Sequence, residues 1–230
     1  MNSMSALFVV IDGTDGAGKD TQTARLAKIA KSRGFSVATL SYPSTGETFS
    51  GRFLRRELFT GKLGEMNKLH PKLVAYPFIV DRYEQQPHLK ELIGENDLVI
   101  ANRYVISTIA YQGAGLPSGE RLEFHDWVEE LDYEIMGSPR EDAVIFLSLP
   151  IEQASKLLDQ RKINDHSGRD LYDESQNFQR EVFKEYQKLC ASNSHWHEVK
   201  CNDGGRIRSI EEIGVDIDRL IFDELWLLKK

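Results

Sequence analysis

The sequence predicts a three-layer α/β fold, in which one five-stranded parallel sheet lies between two layers of helices. Short apolar runs of strand length alternate along the 230 residues with longer segments that carry apolar residues at helical spacing. The first run, ALFVVID, is almost entirely apolar, which is typical of a parallel strand covered on both faces. Consecutive parallel strands of this kind are joined by right-handed helical crossovers.

We expect five strands, each a short run rich in apolar residues. In chain order they are Ala6–Asp12, Phe35–Ser41, Asp97–Asn102, Ala143–Leu149 and His197–Lys200. The last of these has the weakest pattern.

Helical patterns fill the intervals between the strands. In the first, Lys19–Arg33, apolar residues recur at Ala24, Ala27 and Ile29, and Gly34 supplies a C-terminal stop. The others are Phe53–Phe59, Pro71–Glu84, Tyr104–Tyr111, Arg121–Met136, Ile151–Gln160, Ser175–Cys190 and Ile210–Leu228.

Composition fits a single domain over residues 1–230, with 40% hydrophobic residues and a net charge of -7. That charge argues against a general binder of nucleic acid or of anionic membranes. The apolar run at residues 6–11 is too short for a signal core, and nothing indicates a membrane span. Neither the two cysteines nor the six histidines have the spacing of a metal site, so we expect a cytosolic protein with reduced cysteines.

The segment GTDGAGKDT follows the first strand and opens the first helix, as a phosphate-binding loop does. It comprises Gly13, Thr14, Asp15, Gly16, Ala17, Gly18, Lys19, Asp20 and Thr21. Glycines let successive backbone N–H groups turn toward an anion at the positive end of the helix, and Lys19 adds a mobile charge. The pattern G-x-x-x-x-G-K-[ST] places a magnesium-binding hydroxyl after the lysine, where this chain has Asp20.

The chain resembles the thymidylate kinases, which are P-loop nucleoside monophosphate kinases. The resemblance rests on DGTDGAGKDTQ, HPKLVAYPFIVDRYE, NRYVISTIAYQGAG, EFHDWVEELDYEIMGSPREDAVIFLSLP and FQREVFKEYQKL, and it covers nearly the whole chain. It implies a P-loop kinase fold and transfer of the γ-phosphoryl group of ATP to dTMP with Mg²⁺, all nine loop residues binding the phosphates of ATP. It also implies a homodimer, with residues 71–80 or 109–111 as contacts.

The resemblance assigns the base of dTMP to the segment FIVDR and the helix after the third predicted strand. Phe78 and Arg82 are one helical turn apart, so an aromatic face and a guanidinium can together stack a pyrimidine and donate to its carbonyl edge. Ser107 and Gln112 are implied to approach the base. A core phenylalanine with a surface arginine is the alternative for FIVDR.

The sugar and the monophosphate are assigned to three further residues. The resemblance implies that Arg103 grips the acceptor phosphate with its fork of donors, and that Asp15 contacts the 3′-hydroxyl. Tyr111 is implied to pack where a 2′-hydroxyl would sit. A buried core aromatic is the other interpretation of Tyr111.

The donor side requires positive charge at the transferring phosphoryl group. Lys19 and Arg103 are predicted to act there. Because residues 14–17 of the loop contain no arginine, the resemblance points to Arg161 or Arg169 in the polar segment 161–175. That segment reads either as a short lid or as an ordinary solvated connection.

Three positions depart from the family pattern: Asp20 replaces a hydroxyl, Asn102 an aspartate, and Ser44 an arginine. The first two suggest an exchange, in which Asp20 supplies the carboxylate and Asn102 a neutral oxygen to Mg²⁺. The alternative keeps Asp20 as a first-turn acid that the helix dipole favours. Arg52, Arg55 and Arg56 lie downstream in the same segment and could replace the charge lost at Ser44.

The departures leave two other functions open. One is a kinase of another nucleoside monophosphate, against which Phe78, Arg82 and Tyr111 argue. The other is a non-catalytic nucleotide-binding protein that has lost metal ligation, for which Asp20 and Asn102 are the evidence.

Overall fold

A computed structural model of the chain describes residues 6–44, 46–165 and 176–228. Most of the predicted lid, including Arg169, therefore lies outside the described residues. The backbone of its first part, residues 161–165, is helical and continues the preceding helix. The side chain of Arg161 also lies outside the described part.

A five-stranded sheet forms the middle layer, with all neighbouring strands parallel and in the order β2-β3-β1-β4-β5. Its strands are β1 Leu7–Asp12, β2 Val37–Ser41, β3 Leu98–Asn102, β4 Ala143–Ser148 and β5 Trp196–Lys200. Each overlaps a predicted strand, and the predicted fold class is confirmed.

Helices cover both faces of the sheet. The helices are α1 Lys19–Ser32, α2 Phe49–Phe53, α3 Pro71–Glu95, α4 Val105–Ala114, α5 Arg121–Glu129, α6 Ile151–Asp165, α7 Gln176–Ser192, α8 Ile210–Asp218 and α9 Trp226–Leu228. Three of them continue as π-helical turns, at Leu54–Leu58 after α2, Glu130–Ile135 after α5 and Arg219–Leu225 after α8. A 3₁₀ turn spans Met66–Lys68.

The predicted end of α3 was wrong. The helix runs eleven residues beyond Glu84, to Glu95, although Pro87 lies inside it. A proline removes one helical hydrogen bond, but here the helix continues because Leu89, beyond the proline, is buried in the core. Asn96 then ends the helix by donating its side-chain amide to the carbonyl of Leu92 at 2.9 Å.

Two other elements differ from prediction. The helix expected from Phe53 begins at Phe49, where Thr48 caps it by accepting a hydrogen bond from the N–H of Gly51 at 2.8 Å. A small antiparallel hairpin, β6 Asn202–Asp203 and β7 Arg206–Ile207, was not expected. Its two-residue turn is Gly204-Gly205, both at positive φ.

The core lies on both faces of the sheet because the side chains of each strand alternate. Along β1, Phe8 and Val10 join the cluster under α3, α4 and α7, while Val9 and Ile11 join the one under α1 and α8. A third, smaller cluster lies under the π-turn after α2. Both faces of β1 are thus buried, as the apolar run predicts.

No helix within residues 6–44, 46–165 and 176–228 combines the length and the apolar character that crossing a bilayer requires.

The strand order brings two loops together at the carboxyl edge of the sheet. Ile11 of β1 pairs with Asn102 of β3, so the loop that follows β1 lies beside Arg103, the residue after β3. Open parallel sheets bind ligands at this edge.

Candidate active site

A cavity of about 270 Å³ opens at the carboxyl edge of the sheet. Its lining includes all seven residues predicted to bind the acceptor, together with six others. The lining residues are Asp15, Tyr42, Pro43, Phe59, Phe78, Asp81, Arg82, Arg103, Tyr104, Ser107, Thr108, Tyr111 and Gln112. The structure therefore brings the predicted acceptor residues together, and their individual roles stay predictions.

The predicted phosphate loop joins β1 to α1 beside this cavity. Its three glycines, Gly13, Gly16 and Gly18, all have positive φ, which side chains rarely tolerate. At Gly16 a Cβ would also lie only 2.6 Å from the carbonyl oxygen of Ala154 in α6. The loop therefore needs glycine to turn, and it ends at the N-terminus of α1, where an anion is favoured.

The side chain of Lys19 folds back into the loop. Its ammonium donates to the carbonyl oxygens of Gly13 at 3.1 Å and Thr14 at 3.0 Å, and it lies 3.9 Å from a carboxylate oxygen of Asp15. Burial, together with the charge of Arg103, lowers the pKa of Lys19 to about 8. A bound anion would raise the pKa of Lys19 again.

At one end of the cavity, an aromatic wall lies beside a buried arginine. The rings of Phe59 and Phe78 are 6.0 Å apart. Arg82 is buried, and its Nε donates to Asp132 at 2.9 Å. Burial alone would lower the pKa of Arg82, but the charge and hydrogen bonds of Asp132 raise it, so the guanidinium stays charged. Its NH1 donates at 3.5 Å to the carbonyl oxygen of Tyr104, another residue of the cavity lining.

A second buried carboxylate, that of Asp81, explains what Ser44 does. Asp81 accepts hydrogen bonds from the backbone N–H of Ser44 at 2.9 Å, from the Ser44 hydroxyl at 2.7 Å and from the Thr48 hydroxyl. Ser44 thus ties the segment after β2 to α3. Arg52, Arg55 and Arg56 are exposed and are not among the cavity-lining residues of the described chain, and their replacement of the missing charge stays a prediction.

The other end of the cavity is built around Arg103. This residue has φ 66, a left-handed conformation that is uncommon for a residue with a side chain and that is found at functional sites. Its guanidinium forms an ion pair with Asp15, donates to Ser107 Oγ at 3.2 Å and lies 3.8 Å from a carboxylate oxygen of Asp12. Burial alone would lower the pKa of Arg103, but Tyr111 and the two carboxylates raise it well above its usual value.

Tyr111 and Gln112 line the cavity from α4, and both are buried. The guanidinium carbon of Arg103 lies 5.2 Å from the centre of the Tyr111 ring, a cation–π distance. Since residues 109–111 are buried within the chain, they cannot form the subunit contact suggested from the sequence.

Asp20 and Asn102, the two departures that were predicted to act together, are in contact. The side-chain amide of Asn102 donates to Asp20 Oδ1 at 2.5 Å. Asn102 Oδ1 is buried and has no partner among the described residues, while Asp20 is exposed.

The carboxylate of Asp20 and the Oδ1 of Asn102 are suitable ligands for a magnesium ion bound to the phosphates of a nucleotide. Mg²⁺ in such sites takes one or two protein oxygens and completes its shell with phosphates and water. No cluster of three or more His, Cys, Asp or Glu side chains suited to a metal occurs in the part of the chain that the structure describes. Such a cluster is not required when the phosphates supply the remaining ligands.

Four site residues escaped the sequence analysis: Asp12, Asp81, Asp132 and Tyr186. Asp12 could have been found, because it ends the first strand at the edge where ligands gather. Asp81 stands inside FIVDR but carried no signal of its own. Asp132 and Tyr186 lie 50 and 174 positions from the residues that they contact, Arg82 and Asp12, so local spacing could not reveal them.

Comparison with known proteins gives consistent matches. The sequence model of the thymidylate kinase family matches residues 11–211. A probable thymidylate kinase of Thermococcus onnurineus is 32% identical over 223 residues, covering 95% of this chain and 98% of the relative. A thymidylate kinase of Mycobacterium tuberculosis is 28% identical over 205 residues, covering 87% and 95%.

Solved structures show the same fold. Thymidylate kinase from Candida albicans superimposes with a TM-score of 0.73 at 22% identity, over 96% of this chain and 93% of that one. Thymidylate kinase from Ehrlichia chaffeensis superimposes with a TM-score of 0.65 at 20% identity, over 94% of this chain and 99% of that one.

Removing the charge of Asp132 should destabilise the protein strongly, because it leaves the Arg82 guanidinium buried without its counter-ion. We expect Asp132→Asn to lower the free energy of unfolding in urea by about 3 kcal/mol. Glu134→Gln is the matched control, since Glu134 pairs with Arg140 on the surface and should change stability by less than about 0.5 kcal/mol. Equal stability of the two variants would contradict a buried ion pair at Arg82.

Proposed function

Because the chain belongs to the thymidylate kinase family, we propose that it transfers the γ-phosphoryl group of ATP to dTMP and so forms dTDP. The observation that carries this proposal is the arrangement of one cavity. It joins an aromatic wall and the buried Arg82 at one end to Arg103 at the other, where Arg103 pairs with Asp15 of the phosphate loop. The family match over residues 11–211 supports one catalytic domain over residues 1–230.

The base of dTMP lies against Phe78 in this proposal. The buried Arg82 is held by Asp132 on its Nε and NH2 edge, so its NH1 remains to donate to a pyrimidine carbonyl. Gln112 and Ser107, on α4, approach the same base. Because Asp132 fixes the guanidinium before the base arrives, little side-chain entropy is lost on binding.

The sugar and phosphate extend toward Arg103. Tyr111 packs beside the 2′ carbon and Asp15 accepts from the 3′-hydroxyl. The acceptor phosphate then takes the place of the Asp15 carboxylate on one edge of the Arg103 guanidinium. A dianionic phosphate suits that fork of donors better than a single carboxylate does.

The residues of the phosphate loop, 13–21, hold the ATP phosphates, and Lys19 moves its ammonium from the loop carbonyls to the transferring group. Either Arg161 or Arg169 supplies further positive charge, which the absence of arginine from residues 14–17 supports. Catalysis then depends on positioning and on charge stabilisation, without a covalent intermediate.

Asp20 and Asn102 would hold Mg²⁺, and the buried, unpartnered Oδ1 of Asn102 supports this assignment. When bound, the ion neutralises charge on the phosphates of ATP. Asp20 lies in the first turn of α1, close to the end of the phosphate loop. A cation between this carboxylate and the phosphates would turn their repulsion into attraction.

We also propose a cytoplasmic homodimer. Leu73, Tyr76 and Tyr83 form an apolar stripe along α3 with exposed fractions of 65%, 45% and 50%. Their spacing of three and seven residues places them on one helix face. This stripe includes part of the predicted contact at residues 71–80, and both cysteines are free, in line with a reducing compartment.

The first test of the proposed function is an acceptor screen. With ATP and Mg²⁺, we expect dTMP to give the highest kcat/KM among the common nucleoside monophosphates. Phe78→Ala should raise the KM for dTMP at least about 10-fold through loss of stacking and leave the KM for ATP unchanged. Phe49→Ala is the control, because Phe49 is an exposed phenylalanine outside the cavity.

If another nucleoside monophosphate gives a higher kcat/KM than dTMP, that nucleotide is the acceptor and the proposal of dTMP is wrong. Binding of ATP without turnover of any acceptor would favour the non-catalytic alternative.

A double-mutant cycle tests the exchange at the magnesium site. Asp20→Ser and Asn102→Asp should each lower Mg²⁺-dependent turnover and weaken Mn²⁺ binding to the ATP complex, measured by electron paramagnetic resonance. The double variant should recover much of the turnover and of the Mn²⁺ binding, because the site then again has one carboxylate and one neutral oxygen. Simple addition of the two losses would mean that the positions act independently.

The proposed dimer can be tested through the apolar stripe on α3. We expect sedimentation velocity to give a dimer for the unaltered protein and a monomer for Tyr83→Glu, since a charge on the stripe would be buried on association. Val215→Glu, at an exposed apolar residue of α8 on the other face of the sheet, should stay dimeric. A monomer for the unaltered protein would refute the proposal.

A further inference from the structure

The carboxylate of Asp12 is fully buried at the end of β1 and lies behind the acceptor end of the cavity. It accepts hydrogen bonds from the N–H of Gly13 at 2.7 Å, from the Ser107 hydroxyl at 2.8 and 2.7 Å, and from the Tyr186 hydroxyl at 2.8 Å. A buried carboxylate needs such donors, because water cannot stabilise its charge. Each of the three donors is therefore held in a fixed direction by Asp12.

Tyr186 reaches this carboxylate from α7. Its ring stacks on Phe146 of β4, with ring centroids 4.9 Å apart and ring planes 7° apart. The rings of Tyr186 and Tyr111 are nearly perpendicular, with centroids 6.3 Å apart. The side chain is fully buried, so it has one packing arrangement available. Burial and the nearby charge of Asp12 raise the pKa of Tyr186 well above its usual value, so its hydroxyl remains a donor.

Two groups in this cluster also contact Arg103 from the protein side. Ser107 Oγ, which donates to Asp12 and lies 3.3 Å from the Tyr186 hydroxyl, accepts from Arg103 NH1 at 3.2 Å. Asp12 itself lies 3.8 Å from the same NH1. The NH2 of Arg103 instead pairs with Asp15 on the phosphate loop, at the cavity.

The Arg103 guanidinium thus has an inner edge and an outer edge with different surroundings. Its inner NH1 is held by Ser107 and Asp12, which in turn are held by Tyr186. Its outer NH2 contacts Asp15, a half-buried residue of the phosphate loop. The left-handed backbone of Arg103 fixes the starting point of the side chain, so the inner contacts decide where the fork of donors points.

We propose that Tyr186 is a positioning residue for the acceptor phosphate, which it serves by holding Asp12 and Ser107 against the inner edge of Arg103. This inference rests on the proposed function, because it takes the phosphate of a nucleoside monophosphate as the ligand of Arg103. The Tyr186 hydroxyl touches neither the base nor the sugar in this arrangement. Its removal should therefore affect only that part of the affinity that comes from the phosphate.

Binding of dTMP and of thymidine, which lacks the phosphate, separates this role from a merely structural one. By isothermal titration calorimetry, Tyr186→Phe should weaken dTMP binding about 10-fold and leave thymidine binding unchanged, because one hydrogen bond to a charged group is lost. Tyr133→Phe is the matched control. Tyr133 is also a buried tyrosine that donates to a carboxylate, that of Glu141, but it lies outside the cavity lining.

The outcomes are distinguishable. Equal weakening of both ligands by Tyr186→Phe, or no weakening of either, would overturn the positioning role and leave the proposed function intact. If the unaltered protein binds dTMP no more tightly than thymidine, the proposed function itself fails, and the inference fails with it. If Tyr186→Phe does not fold, Ser107→Ala removes the next contact on Arg103 and should weaken dTMP binding more than thymidine binding, because any contact of Ser107 with the base is common to both ligands.

Discussion

The carboxylate of Asp12 imposes a constraint on this whole edge of the sheet, since it carries a negative charge with no access to water. Its donors come from the phosphate loop, from α4 and from α7, which are far apart in sequence. Satisfying one carboxylate therefore fixes three elements relative to β1. The same contacts bring Ser107 and Tyr186 beside Arg103, so the demand of a buried charge also shapes the place where a phosphate can bind.

Two further buried carboxylates, those of Asp132 and Asp81, have different partners at the opposite end of the cavity. Asp132 keeps Arg82 charged and oriented, while Asp81 ties the segment containing Ser44 to α3. Asp81 is held by hydroxyl and amide donors, whereas Asp132 has an arginine as its main partner. The base end is thus an apolar wall with one directed cation, and the phosphate end is a cation between carboxylates. A ligand with an uncharged ring and a terminal dianion matches this arrangement.

Much of the fold could be predicted because its signals are local. All five strands and the helices between them followed from apolar periodicity, and the phosphate loop followed from its glycines. The misplaced end of α3 had a tertiary cause, since packing of Leu89 outweighs the local cost of Pro87. The hairpin that was not expected has a local turn signal, the pair Gly204-Gly205.

The candidate site could be predicted only where each residue belongs to a short pattern. FIVDR and NRYVISTIAYQG contain nine of the thirteen residues that line the cavity. The paired departures at Asp20 and Asn102 indicated a contact that the structure contains. The supporting residues Asp132 and Tyr186 depend on long-range contacts, for which one sequence offers no periodicity. The roles of the side chains toward a nucleotide remain predictions.

The most direct measurement of the central claim is a crystal structure of the protein with dTMP bound. We expect the pyrimidine ring to lie against Phe78 and the 5′-phosphate to lie within about 3 Å of the outer edge of Arg103, with Asp15 displaced from that edge. We also expect Ser107 and Asp12 to keep their contacts on the inner edge. A phosphate bound away from Arg103, or a pyrimidine at the Asp15 end of the cavity, would contradict it.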